Sequence, residues 1–142
     1  MRSGVLCRVA LAILAFLAAA GAQAQENRFV GKWSGKFQGI TINYVIEANL
    51  NYSEMAVAGT LRTAQSGKYR LAAPNQILFE VQDWQPKTQN VYHATGTTGG
   101  YTTPEPMAKP AGGSFSYVFN NPNSVTLTDL MTHGAITLNR VP

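Results

Sequence analysis

Apolar and polar residues alternate with a period of two along most of the chain after residue 28. In the first such segment Phe29, Trp33 and Phe37 share one phase, and Lys32 and Lys36 share the other. Successive side chains of a β-strand point to opposite faces, so a strand with one buried face shows this alternation. The pattern predicts a half-buried strand.

The same period recurs in seven further segments, which predicts an all-β protein of eight strands. The eight segments are 29–37, 40–50, 55–61, 69–71, 77–81, 115–119, 125–127 and 136–140. Turns are predicted at Asn51-Tyr52-Ser53, Gly67, Pro74-Asn75, Asn120-Asn121-Pro122-Asn123 and His133-Gly134, because these residues favour the backbone angles of tight turns. No segment after residue 24 carries the pattern of an amphipathic helix.

Eight antiparallel strands with one apolar face each must bury those faces against one another. A closed up-and-down barrel does so and also removes the exposed strand edges. A two-sheet sandwich is the alternative architecture. Gly31 and Gly35 favour the barrel, because glycines in a strand allow the sharp coiling that closure requires.

Residues 85–112 interrupt the pattern and are rich in Gly, Pro and Thr. They are predicted to form one long loop, and loops of this length in compact domains are often functional or disordered. It is either a tolerated insertion or a contact loop that carries Tyr92, Tyr101 and Met107.

The first 24 residues have the pattern of a cleavable signal peptide: Arg2 and Arg8, an apolar run over 9–20, and Ala22-Gln23-Ala24. Export to the periplasm or to the medium is therefore expected, with residues 25–142 as a single domain. The formal net charge of the chain is +4. Loss of the two arginines reduces it to +2, too weak a charge to indicate a nucleic-acid partner.

No catalytic, metal or cofactor site is predicted. The only cysteine, Cys7, lies in the predicted signal peptide, and His93 and His133 lack the spacing of a metal site. Asp83 and Asp129 are the acids predicted to be in phase with inward residues, both at strand ends. No serine lies in a nucleophile motif.

The first predicted strand contains Gly31-Lys32-Trp33, and the last contains Arg140. With these residues the sequence resembles the calycin superfamily, which includes lipocalins, avidins and small bacterial protease inhibitors. The resemblance implies an eight-stranded barrel in which Arg140 stacks on Trp33 and closes one end. The further sequence blocks of lipocalins and the paired cysteines of the inhibitors are absent from this sequence.

Two functions are expected from this reading. The first is non-catalytic binding of a small apolar or amphipathic ligand, in a cavity lined by Tyr44, Tyr69 and Tyr117 with Tyr101 on the long loop. The second is binding of a protein partner through residues 85–112. No membrane span is predicted, because outward lysines and asparagines would face lipid.

Overall fold

The computed structural model describes residues 28–142, so the predicted signal peptide lies outside the described residues. Ten strands make up most of this part of the chain. They are β1 (Gly31–Phe37), β2 (Ile40–Ile46), β3 (Asn51–Ala58), β4 (Leu61–Ala72), β5 (Gln76–Gln85), β6 (Thr88–Thr95), β7 (Gly99–Pro106), β8 (Ser114–Asn121), β9 (Ser124–Asp129) and β10 (Ala135–Val141).

Eight of these strands form a closed antiparallel barrel in the order β1-β10-β9-β8-β5-β4-β3-β2, with β2 again beside β1. The strands follow one another around the barrel in chain order, apart from the insertion between β5 and β8. This confirms the predicted all-β, eight-stranded up-and-down barrel over the sandwich. Closure pairs the first strand with the last, in the register Trp33 opposite Arg140.

The insertion differs from the predicted loop, because β6 and β7 form a two-stranded hairpin that pairs with no barrel strand. Its base is closed by a 2.8 Å hydrogen bond from the Met107 N–H to the Lys87 carbonyl. By the alternation of an antiparallel ladder, Pro104 and Pro106 then lie where an N–H would point away from β6. Proline is tolerated at such edge positions, so the prolines in this segment do not prevent a strand.

Two predicted features of the third and fourth strands are wrong. Asn51-Tyr52-Ser53 is not a turn but the start of β3, and Tyr52 is buried with 2% of its surface exposed. Gly67 does not end a strand but lies inside β4, at a register shift between Ser66 and Gly67. The chain turns instead between β3 and β4, at residues 59 and 60.

The core fills the barrel with aromatic and branched side chains. Its buried members within the strands are Trp33, Tyr44, Ile46, Tyr52, Tyr69, Ile77, Phe79, Val81, Tyr117, Val125, Leu127 and Leu138. Phe79 lies at the centre of the aromatic contacts, with ring centroids 4.7 Å from Tyr52, 5.4 Å from Tyr44 and 6.0 Å from Phe115. Such pairs add about 0.5–1.5 kcal/mol each beyond burial, which stabilises one arrangement of the interior.

Candidate functional site

One row of side chains crosses six neighbouring strands on the inner face of the barrel. In cross-strand register the row runs Arg140, Trp33, Tyr44, Glu54, Gln65 and Trp84. Residues directly opposite each other project to the same face of a sheet. Since Trp33 and Tyr44 are buried, the row lies inside the barrel and places Glu54 among its interior residues.

The first end of the row is an aromatic–cation stack. The guanidinium carbon of Arg140 lies 4.3 Å from the centroid of the Trp33 ring, a contact of about 0.5–2 kcal/mol depending on solvent exposure. Gly31 leaves room for it, because a Cβ at this position would collide with the Arg140 guanidinium. The glycine and the tryptophan of the Gly31-Lys32-Trp33 segment therefore contact the same arginine.

The three tyrosines expected to line a cavity are all buried, with 5%, 2% and 5% of Tyr44, Tyr69 and Tyr117 exposed. Their surroundings differ. The Tyr69 hydroxyl donates a 3.1 Å hydrogen bond to the Glu47 carbonyl, whereas the Tyr44 hydroxyl is hydrogen-bonded to the Glu54 side chain. The structure therefore directs these two phenols to different partners.

Tyr101, the fourth tyrosine singled out from the sequence, lies on β7 of the hairpin and is 55% exposed. Its ring stacks on His93 with centroids 5.2 Å apart. The His93 Nε2 lies 2.8 Å from a Glu105 carboxylate oxygen and 2.9 Å from the Thr103 hydroxyl. These contacts lie within the hairpin, and they do not place Tyr101 beside Tyr44.

Glu54 and its neighbours form the polar part of the barrel interior. We call Tyr44, Tyr52, Glu54, Gln65 and Trp84 the Glu54 cluster. Glu54 is half-buried and accepts a 2.9 Å hydrogen bond from the Gln65 amide. Burial, followed by the Glu54 charge and its hydrogen bond, raises the pKa of Tyr44 well above its usual value. Burial and the same charge raise the pKa of Tyr52 to about 12.

Two polar atoms of the Glu54 cluster are buried without a hydrogen-bond partner. They are the Tyr52 hydroxyl and the Trp84 indole N–H. A buried polar group left unpaired costs about 1–3 kcal/mol, and native proteins hold few of them. Each such group therefore calls for an explanation, and a bound water or ligand is one.

A cavity of about 170 Å³ adjoins the cluster. Glu54, Gln65 and Trp84 contribute to its wall, and Met107 and Pro110 from the segment after the hairpin cover it. A cavity of about 150 Å³ in a protein core is large enough to bind benzene. The space beside Glu54 therefore accommodates a group of roughly that size.

Two larger clefts lie among exposed residues of the sheet. One, of about 650 Å³, separates β4 and β5 from residues 109–114 and carries Lys68, Arg70 and Lys109 with Glu80. The other, of about 540 Å³, includes Val45 and Met55 on the outer face and is also bordered by Glu54, Gln65 and Trp84. The four charged groups of the first cleft are solvent-exposed. The Glu54 cluster, with its buried unpaired groups, is therefore the stronger candidate site.

The sequence pattern did not predict Glu54, Gln65 and Trp84 as site residues, because it does not show which residues face inward in β3 and at the end of β5. In β3 the inward positions are those of Tyr52 and Glu54, whereas Met55, an apolar residue at the start of the predicted segment 55–61, is 43% exposed. In β5 the register shift places Trp84 opposite Gln65. Asp83 falls in the opposite phase, is fully exposed and pairs with Lys87 at 2.6 Å.

We expect Tyr52→Phe and Tyr69→Phe to have opposite effects on the stability of the ligand-free protein. Tyr52→Phe removes an unpaired hydroxyl and leaves the free energy of unfolding unchanged or raises it by up to about 1 kcal/mol. Tyr69→Phe breaks the bond to Glu47 and lowers it by about 1 kcal/mol. Urea unfolding of both variants measures the difference. Equal losses would contradict the absence of a partner for Tyr52.

Within residues 28–142, no group of three or more His, Cys, Asp or Glu side chains is placed to hold a metal ion. In the same part of the chain, none of the helical structure is long and apolar enough to cross a membrane. No known protein-family model matches the sequence, and no curated protein is significantly similar to it.

Proposed function

We propose that the protein is an exported, non-catalytic barrel of calycin type that binds a small amphipathic ligand at the Glu54 cluster. The observation that carries this proposal is a cavity of about 170 Å³ lined by Trp84, whose indole N–H is buried without a hydrogen-bond partner. Small-molecule sites in proteins combine an apolar wall with a few convergent polar groups. The Glu54 cluster has this composition.

The wall and the polar groups assign the two ends of such a ligand. Met107, Pro110 and the Trp84 ring offer apolar surface, and the Gln65 amide and the Glu54 carboxylate offer hydrogen-bonding groups. The indole N–H of Trp84 is only a donor, so a ligand oxygen or a bound water completes its hydrogen bonding. A ligand with an apolar body and one polar head therefore matches both the apolar wall and the hydrogen-bonding groups.

Trp33 lies near the start of β1 and Trp84 near the end of β5, and these two strands run in the same direction, so the two tryptophans lie toward opposite ends of the barrel. This arrangement supports the calycin-type proposal. The Arg140–Trp33 stack fills one end of the row, with Trp33 fully buried. Trp84, at the other end of the row, is only partly buried and borders the cavity. Calycin-like barrels are closed at one end and bind ligands toward the other, which is the arrangement that we propose here.

Benzyl alcohol, a neutral amphipathic probe of suitable size, is expected to bind with a Kd of about 1 mM, given typical affinities of about 0.5 kcal/mol per heavy atom. A ¹⁵N-resolved NMR titration follows the two indole N–H signals of Trp33 and Trp84. The Trp84 signal should shift with the probe, and the Trp33 signal should stay within a small fraction of that shift.

Trp84→Phe assigns the two indole signals and keeps an aromatic wall to the cavity. A Trp84 signal that remains fixed up to 10-fold above the expected Kd (about 10 mM probe) would overturn ligand binding at this cluster. Equal shifts at both tryptophans would show non-specific binding and would count against the proposal in the same way.

A second candidate function, binding of a protein partner, is favoured by the exposed aromatic surface of the hairpin. Tyr92 is 64% exposed and Tyr101 is 55% exposed. Exposed tyrosines are enriched in protein interfaces, where they supply large contact areas. In this alternative the barrel is the scaffold, and β6 and β7 carry the contact surface.

Removal of residues 88–106 tests this alternative. A two-residue turn then joins Lys87 to Met107, which are already hydrogen-bonded. Since the hairpin pairs with no barrel strand, the melting temperature should change by less than about 4 °C, equivalent to under about 1 kcal/mol for a domain of this size.

Retention by an immobilised envelope extract should be lost if the hairpin binds a partner. Unchanged retention would exclude it, and a large fall in melting temperature would show that the hairpin supports the fold.

A further inference from the structure

The Glu54 cluster contains a negative charge that no basic side chain neutralises. Lys87 forms an ion pair with Asp83, His93 contacts the Glu105 carboxylate, and neither contact involves Glu54. The partners of Glu54 are instead the neutral groups of Gln65 and Tyr44. A half-buried carboxylate without a counter-charge is costly, and proteins usually pair such groups or use them to bind a ligand.

Aromatic residues lie near this carboxylate in the sheet, on its own strand, on β2 and two strands away on β5. Tyr44 is directly opposite Glu54 on β2, Tyr52 precedes it by two residues on β3, and Trp84 lies beyond Gln65 on β5. The faces of aromatic rings carry negative potential and attract organic cations, most strongly when the site is desolvated. Both the carboxylate and the rings therefore favour a positive ligand over a neutral or negative one.

The Trp84 ring already binds an ammonium group from within the chain. The Lys87 Nζ lies 3.5 Å from the ring centroid and pairs at 2.6 Å with Asp83. Asp83 compensates the charge of Lys87 in this ion pair, which does not include Glu54. This contact shows that the indole is accessible to an ammonium at short range.

We propose that the ligand of the Glu54 cluster is an organic ammonium cation attached to a small apolar body. The inference rests on the proposed ligand-binding function and specifies its chemical class. The ammonium pairs with the Glu54 carboxylate at the wall of the cavity of about 170 Å³, and the apolar body occupies that cavity beside Trp84, Met107 and Pro110.

Three probes of nearly equal size and different charge test this assignment: benzylamine, benzyl alcohol and benzoate. At pH 7 and low salt, benzylamine is expected to bind at least about tenfold more tightly than benzyl alcohol, as a charge-assisted contact of about 1.4 kcal/mol requires. Benzoate should bind more weakly than both. The Trp84 indole signal reports the three affinities on the wild-type protein, so the comparison requires no variant.

Glu54→Gln should remove the preference for benzylamine and leave the affinity for benzyl alcohol within about twofold, because the amide retains the shape and loses the charge. Glu80→Gln is the matched control, since Glu80 is an exposed glutamate on strand β5. It should leave all three affinities unchanged.

The outcomes separate the two proposals. Equal binding of benzylamine and benzyl alcohol, or a preference that survives Glu54→Gln, overturns the ammonium assignment and leaves ligand binding at the cluster intact. Failure of all three probes to move the Trp84 signal overturns both. A benzylamine preference that is lost only in Glu54→Gln supports both.

Discussion

Trp33→Ala should lower the free energy of unfolding by about 3–5 kcal/mol, the range typical of a fully buried tryptophan replaced by alanine. Trp33 is the largest side chain in the described part of the chain with no exposed surface. Its ring contacts Phe119 at a centroid distance of 6.3 Å and carries Arg140 on its face. The substitution therefore leaves a large cavity and separates the guanidinium from its aromatic partner.

Chemical denaturation of the wild-type and variant proteins measures this loss. Tyr92→Ala is the matched control, because it also removes an aromatic ring, but one that is 64% exposed on the hairpin. Substitutions at such surface positions usually change stability by less than about 0.5 kcal/mol. A loss below 1.5 kcal/mol for Trp33→Ala would contradict the importance of this end of the barrel for stability.

The barrel could be predicted from the sequence because alternation requires only that each strand bury one face. The apolar residues of β1, β2 and β8–β10 keep this period, and β1 opposite β10 closes the structure at Trp33 and Arg140. Small errors at strand ends leave this conclusion unchanged. The third strand was predicted over 55–61 and is Asn51–Ala58, but this shift did not alter the count of barrel strands, because a turn still separates it from the strand on either side.

Prediction of the candidate site is more sensitive to errors of phase than prediction of the barrel, because a shift of one residue moves a side chain to the opposite face of the sheet. Met55 is more hydrophobic than Glu54, so hydropathy alone assigned the wrong inward residue in β3. On this barrel Met55 instead contributes to an outer cleft together with Val45. Glu54 is a candidate binding residue because it is polar, and for the same reason a search for alternating apolar residues does not identify it as inward-facing.

The hairpin was missed for a different reason. Its threonines, glycines and prolines have the composition of a loop, and two exposed faces give no apolar alternation to detect. Strand pairing there depends on backbone hydrogen bonds and on cross-strand contacts such as His93 with Tyr101. These contacts join residues on two different strands, so the apolar alternation within one strand does not reveal them.

The second large effect is expected at Gly67, the residue that links the fold to the candidate site. In β4 it is opposite Val81, whereas the preceding Ser66 is opposite Asp83, so that Gln82 is the extra residue of a bulge in β5. A bulge reverses the inward and outward phases of the strand beyond it. Trp84 faces Gln65 inside the barrel because of this bulge.

Gly67→Ala should lower the free energy of unfolding by about 3 kcal/mol, at the upper end of the usual cost of overpacking. A Cβ at position 67 would collide with the backbone carbonyl of Glu80, and the Gln82 backbone nitrogen would lie only 2.9 Å from it. Backbone atoms cannot move aside as a flexible side chain does, so β4 and β5 must separate or change register. Urea unfolding measures the loss of stability, and the Trp84 indole signal should shift in the same variant.

Gly99→Ala is the matched control for this substitution, because its nearest neighbour, the Thr95 hydroxyl, would lie 3.4 Å from the new Cβ. We expect a change within about 0.5 kcal/mol and an unmoved Trp84 signal. If Gly67→Ala lowered the free energy of unfolding as little as this control, β4 and β5 would not approach each other as closely at the bulge as described. The inward position of Trp84, and with it the Glu54 cluster, would then lose its structural basis. If Gly67→Ala instead destabilises the barrel and shifts the Trp84 signal together, one small residue sets both the strand register and the geometry of the cluster.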